Sequence, residues 1–161
     1  MYTREEQAVV AAKCRKRMLV TFIPAAIVLA AAIALFVWGQ INRYDETWKI
    51  TAALTILGGG YAIFMYGVYV KPMRNYRNHV NYMLDGRVRE TAGVFKAFSD
   101  DVMEKHGVQC HPLMINVGEK DDGEDDRLFY YDVLKPAPEM PLGTRVVISS
   151  NDMMVAEIRE E

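Results

Sequence analysis

Hydrophobic positions follow two different rules along this chain. From Met18 to Trp38 and from Ile50 to Val70 run two uncharged stretches of 21 residues each. A bilayer core of about 30 Å takes roughly 20 apolar residues of α-helix. The pattern therefore predicts two transmembrane helices joined by the short polar segment 39–49. Upstream, Thr3 followed by Glu6 makes a capping box. Only Pro24 interrupts the run from Arg4 to Trp38, so one helix is expected, with Pro24 as the place for a kink.

After the second span the pattern becomes amphipathic. Pro72 suits a first helical position. Met73, Tyr76, Val80 and Met83 then recur on one face, with Leu84 alongside, while Arg74, Asn75, Arg77, Asn78 and Asn81 fill the other. A connector helix over 71–85 is expected, stopped by Gly86. Its stripe (Met73, Tyr76, Val80, Met83) is a candidate interaction surface, docking on protein first, either another chain or the barrel itself, and lying on a lipid surface second. His79 is placed on the polar or interfacial side.

From residue 86 the period shifts to alternation. A strand is expected over Val88–Phe98 with a bulge at Gly93, and a long extended run over Val102–Val117, broken or bent at Gly107 and Pro112. Further strands are expected over Arg127–Leu134, Arg145–Ser149 and Met153–Arg159, the last two joined by a turn at Ser150-Asn151-Asp152. Glu119–Asp126 and the proline-rich Lys135–Gly143 read as loops. About five strands in so short a segment suit a closed barrel of the OB or SH3-like kind, because closure removes exposed edges. The fold class is then a membrane α-helical hairpin plus a C-terminal all-β small barrel. The units are 1–70, 71–85 and 86–161.

Small residues at i, i+4 are where membrane helices approach closely. Ala26, Ala30 and Ala34 do so on the first span, and Gly58 and Ala62 on the second. Packing within the hairpin is the expected use; self-association is the alternative.

Charge sharpens the division. Residues 1–84 carry ten Lys/Arg against four Asp/Glu, and residues 85–161 carry nine against seventeen. The first part thus stands at +6 and the second at −8. Five Lys/Arg precede the first span, two lie between the spans and three follow directly after the second. The positive-inside rule then puts both termini in the cytoplasm, with the protein in the plasma (inner) membrane. The first span is longer than the roughly 7–15 residues of a signal-peptide apolar region, so it is expected to be retained. Cys14 and Cys110, the two cysteines, fall in different units, which fits a reducing compartment.

Chemical motifs are sparse. Neither span carries a charge, which argues against an intramembrane ion site. His106, Cys110 and His111 lack the spacing of a zinc site. The acidic run Asp121–Asp126 lacks the ligand alternation of an EF-hand. No nucleophile elbow, P-loop or dinucleotide fingerprint occurs. Phe95, Phe98, Phe129, Tyr130 and Tyr131 could stack on bases, but phosphate contacts dominate nucleic-acid affinity and this part is acidic. No enzyme activity, cofactor, metal or nucleic acid is expected.

A membrane segment followed by a small barrel is similar in layout to the NfeD-like proteins, partners of membrane-associated scaffold proteins; the likeness covers residues 86–161 as architecture. The whole layout also looks like bacterial antiviral effectors that pair two spans with a nucleotide-sensing barrel, although −8 opposes an anionic nucleotide. The expected function is a membrane-anchored interaction module. It would present the acidic barrel at the cytoplasmic face to bind or regulate a membrane or membrane-associated protein, or a second copy. A small-ligand sensor signalling to the spans and an accessory subunit of a transporter or channel are the alternatives. A pocket of a few hundred Å³ would favour the sensor.

Overall fold

The structure, a computed structural model, describes residues 1–118 and 123–161. The acidic loop 119–126, and the calcium reading attached to it, therefore fall partly outside the described residues. Two compact units result, a helical one of Val10–Arg74 and a β-rich one of Met1–Val9 with Asn75–Glu161.

The described residues form three α-helices: α1 (Arg4–Ile41), α2 (Thr47–Met65) and α3 (Lys71–Asp85). The Thr3 hydroxyl accepts the Glu6 amide at 3.1 Å, the N-cap bond that the sequence foretold. Pro24 stays inside α1. Between α2 and α3 the chain makes a π-helical turn, Tyr66–Val70, in place of a break. The Lys71 amide reaches back five residues to the Tyr66 carbonyl. This widened turn directly precedes Pro72, whose ring would crowd the carbonyl four residues back in a regular helix.

The helices of the helical unit are long and apolar enough to cross a membrane, and their apolar side chains remain largely exposed, as Ile27, Ile33, Ile56 and Ile63 illustrate. Lipid is the solvent that tolerates such a surface. The helix–helix contact of the hairpin differs from the expected one. Thr21 and Ala32 within the span, and Gly39 directly after it, are buried on α1, with Ala25, Val28 and Leu35 half-buried between them, whereas Ala26, Ala30 and Ala34 are exposed. On α2 the half-buried line runs through Thr51, Leu54, Gly58 and Ala62. A Cβ on Gly58 would stand 2.9 Å from Val28 Cγ1, and one on Gly39 would overlap the Thr47 side chain. Along α1 the contact alternates steps of four and three residues, so a strict i, i+4 alanine row drifts off it. The Thr51 hydroxyl donates to the Thr47 carbonyl at 2.9 Å, and the Thr55 hydroxyl to the Thr51 carbonyl at 2.8 Å. Each is thus satisfied one helical turn back, within its own helix.

The β unit is a closed five-strand barrel with one extra strand. Its strands are β1 (Arg89–Phe98), β2 (Met103–Lys105), β3 (Val108–Asn116), β4 (Asp126–Asp132), β5 (Arg145–Asn151) and β6 (Met154–Glu160). The order is β1-β5-β6-β4-β3-β2, and a β1–β3 pairing closes it. The β4–β6 seam is a single parallel pair, Tyr130 with Met154. Phe95, Leu113, Ile115, Phe129, Tyr131, Val146, Ile148 and Val155 fill the interior.

The extended run Val102–Val117 is broken at Gly107, as expected, and forms a hairpin of β2 and β3. It turns at His106 (φ 55°) and Gly107 (φ 74°). Positive φ at both central residues is what a two-residue hairpin loop requires. Three local expectations need correction. Pro112 does not bend β3. Its carbonyl accepts Ser99 N–H on the β1 side. N and C=O of one strand residue face the same way, so no bond to β4 is lost. The bulge of β1 lies between Phe95 and Ala97. Gly93 serves a close approach instead: a Cβ there would stand 2.5 Å from the Asn116 carbonyl oxygen. The β5–β6 turn centres on Asp152 (φ 48°) and Met153 (φ 65°), one residue later than expected.

Candidate ligand groove

Helix α3 repeats Tyr76, His79, Val80 and Met83 at i, i+3, i+4 and i+7, and all four are buried in the β unit. The sequence stripe is thus covered by its own chain at three of its four positions. Met73, the fourth, is half-buried and belongs to the helical unit. His79 lies on this buried face, not the polar one, because it is one helical turn from both Tyr76 and Met83.

A polar cluster fastens α3 down. Tyr76 Oη lies 3.0 Å from Asp132 Oδ2 and 3.1 Å from Glu6 Oε1. Tyr2 Oη lies 2.8 Å from His79 Nε2 and 3.1 Å from the same Asp132 oxygen. The other Asp132 oxygen accepts the Leu134 amide at 2.9 Å, and Lys135 pairs with Glu6. Asp132 is 1% exposed. Burial, and then the Asp132 charge, holds both tyrosine hydroxyls far above their usual range. Burial also lowers the His79 pKa, against the opposing pull of Asp132. The cluster thus gathers the carboxyl groups of Glu6 and Asp132, the Lys135 amine, two tyrosine hydroxyls and the His79 imidazole. It is a structural lock: its polar atoms bond chiefly to one another, and of its side chains His79 also borders a groove.

The opening lies beside the lock. A groove of about 390 Å³ runs between α3 and two hairpin turns. Asn75, Asn78, His79 and Tyr82 line it from α3, His106 from the β2–β3 turn, and Asn151 and Asp152 from the end of β5 and its turn. The thioethers of Met83 and Met154 supply its apolar wall. Each position has a local cause. Asn75, Asn78 and Tyr82 share one helical face at i, i+3 and i+7. Gly107 lets the Asn75 carboxamide lie directly on the turn, where a Cβ would overlap it. Asn151 is fixed by its own bond to the Arg87 carbonyl at 2.9 Å. His106 Nε2 stands 2.7 Å from Asp152 Oδ2 and straps the turns together. That bond, followed by the Lys105 charge, holds the Asp152 carboxyl below its usual pKa.

Among the described residues the Asn75 carboxamide and the Tyr82 hydroxyl have no hydrogen-bond partner, and Asn78 has only a 3.5 Å contact with Arg77. The groove therefore presents unused donors and acceptors over an apolar wall. The signal in the sequence is Asn75, Asn78 and Asn81 within one short helix. Asparagine is a poor helix former, so its repetition asks for a use. Asn81 spends its carbonyl on Gln7 at 3.0 Å; the other two face the groove.

The remaining candidates are scattered. Cys110 is fully buried, with its sulfur 3.8 Å from Met154 Sδ. Burial pushes its thiol up to about 11, an unreactive state at neutral pH. His106 sits on a turn, so alternation does not bring it beside Cys110, and His111 Nδ1 lies 3.0 Å from the Asp101 carbonyl. Phe95, Phe129 and Tyr131 are core residues, not a stacking face. Compared with known proteins, the chain matches no protein-family model, and no curated protein or solved structure matches it. The likeness to NfeD-like proteins and to antiviral effectors stays one of layout.

Proposed function

We propose that this chain is a membrane-anchored regulatory module of the inner membrane, with both termini cytoplasmic. Its acidic barrel takes up a small ligand in the groove beside α3 and relays that occupancy to a partner protein and to the spans. The observation that carries the reading is the pair of carboxamides with unspent hydrogen bonds, Asn75 and Asn78, facing a groove of about 390 Å³. Small-molecule sites have this size and this mix of apolar wall and few polar groups. α3 follows α2 through the π-helical turn without a loop, so a ligand held by α3 acts on the segment that leads into the second span.

A ligand-free interaction module, the leading expectation from the sequence, has its own support. Leu134, just before the proline-rich loop, and Leu142, near its end, are each 70% exposed. Apolar side chains on a rigid loop suit a protein contact. The connector stripe supports it less, since Tyr76, Val80 and Met83 are already covered.

Native mass spectrometry of the full chain in nanodiscs, incubated with a soluble cell extract, tests the choice. The sensor reading expects a small-molecule adduct on the parent that disappears in Asn78→Trp, which fills the groove. Identical spectra for the two proteins remove the sensor reading and leave the interaction module.

A further inference from the structure

We infer that the groove is built for an uncharged nucleobase-type heterocycle, as the free base or the nucleoside; this rests on the ligand-sensing reading above. Asn75 and Asn78 stand one turn apart on α3, each with a planar group holding a donor and an acceptor side by side. That edge complements the adjacent donor and acceptor of a base, the pairing asparagine makes with adenine. Tyr82 is 63% exposed at the groove. Its ring therefore offers a free face on which a flat heterocycle stacks. Met83 and Met154 give a polarisable wall that follows an irregular outline.

Charge decides against phosphorylated forms. The ionisable groups lining the groove are Asp152, held ionised, His106, which stands 2.7 Å from it, and His79, which is bonded to Tyr2; Lys105 lies 3.9 Å from Asp152. Lys105 also lies over the Tyr130 ring at 5.2 Å. No arginine lines the groove among the described residues, and residues 85–161 stand at −8. A phosphate would enter a repelling field whose nearest lysine, Lys105, is already drawn to Asp152.

Calorimetric titration of the full chain in nanodiscs, with the four common nucleosides, their free bases and their 5′-monophosphates, tests this. At least one nucleoside or base should saturate one site per chain. Asn78→Ala and Tyr82→Ala should each weaken it about tenfold or more, the scale of one base-edge pair or one stacked ring. Both side chains reach solvent, so the melting temperature should stay at the parent's. The matching monophosphate should bind more weakly. Tighter binding of the monophosphate overturns the inference, as does affinity unchanged in both variants. If no base or nucleoside binds while the Asn78→Trp-sensitive adduct persists, the ligand class is wrong and the sensor reading stands. If the adduct is missing too, both fall.

Discussion

The hydroxyl of Tyr76 on α3 lies 3.0 Å from the carboxylate of Asp132 at the end of β4, and this bond joins the connector to the barrel. Asp132 is almost fully buried, so its charge is tolerated only while tyrosine hydroxyls and the Leu134 amide surround it. Tyr76→Phe should therefore cost about 1–3 kcal/mol, the penalty for stripping a partner from a buried polar group. Asp132→Asn should cost a similar amount, and the double variant less than the sum, since the two act on one bond. Hydrogen exchange of the α3 and β4 amides in the full chain is the measurement. Strict additivity would show that the contact carries no coupling.

Acid should loosen the same joint. The folded pKa of His79 is depressed below the ordinary histidine value, chiefly by burial. Above about pH 6.5 the imidazole is neutral folded or unfolded and contributes no pH dependence. As pH falls below that, the unfolded chain takes a proton that the folded chain refuses. Stability then declines until the folded pKa is reached, and the histidine contribution levels off below it. Tyr2, Glu6, Tyr76, Asp132, Lys135 and His106 surround His79; the two carboxyl groups soften the decline without reversing it, and Lys135 and His106 add to it. A thermal melt followed by exchange of α3 amides should fall between about pH 7 and pH 5. His79→Gln, which keeps a group for Tyr2, should flatten that slope. An unchanged slope would assign the acid sensitivity to other groups.

How much of this was readable beforehand depends on the range of the interaction. The spans, the connector and the barrel all follow from local period, which is why the hairpin-plus-barrel architecture agrees with the sequence reading. Errors arise where a distant partner decides. Pro112 looks like a strand breaker until β3 is seen changing partner from β2 to β1 at that residue. Gly93 looks like a bulge until Asn116 is seen crossing it. For the stripe Tyr76, Val80, Met83 the sequence leaves another chain and the barrel as equal partners, because Asp132 and Tyr2, which decide for the barrel, lie far away in sequence. For the groove, only the asparagine repeat on α3 was visible, since Asn151 and Asp152 arrive through a turn near the far end of the chain.

The hairpin contact gives a sharper distinction among glycines than composition does. Gly39 lies against Thr47, whereas a Cβ at Gly59 or Gly60 would meet nothing within 4 Å. Gly39→Leu should separate the ends of α1 and α2, while Gly59→Leu should leave the hairpin intact. Disulfide trapping reads this out in a background lacking Cys14 and Cys110, with cysteines placed at Val28 and Gly58, which face each other across the hairpin. Trapping should drop with Gly39→Leu alone. Equal trapping in both variants would mean that the helices meet elsewhere than along Ala32, Gly39 and Gly58.

Orientation is the remaining link between anchor and barrel. The Lys/Arg count of five, two and three across the flanks argues for the 39–49 segment outside and the barrel inside. Arg17 and Arg74 occupy the flanks of the spans in the helical unit. Arg17 donates to the Tyr69 carbonyl at 3.1 Å, and Arg74 to the Tyr66 hydroxyl at 2.9 Å. Such arginine–tyrosine pairs suit a headgroup layer rich in anionic lipid, each cation adding about 1 kcal/mol. Single cysteines at Asn42 and at Glu139, both exposed, can be probed in intact cells with an impermeant thiol reagent, with Cys14 and Cys110 replaced. Asn42→Cys should be labelled directly, and Glu139→Cys only after the cells are opened. The reverse pattern would put the barrel outside, where an acidic module could not regulate a cytoplasmic partner, and the proposed function would have to be rebuilt around an extracytoplasmic ligand.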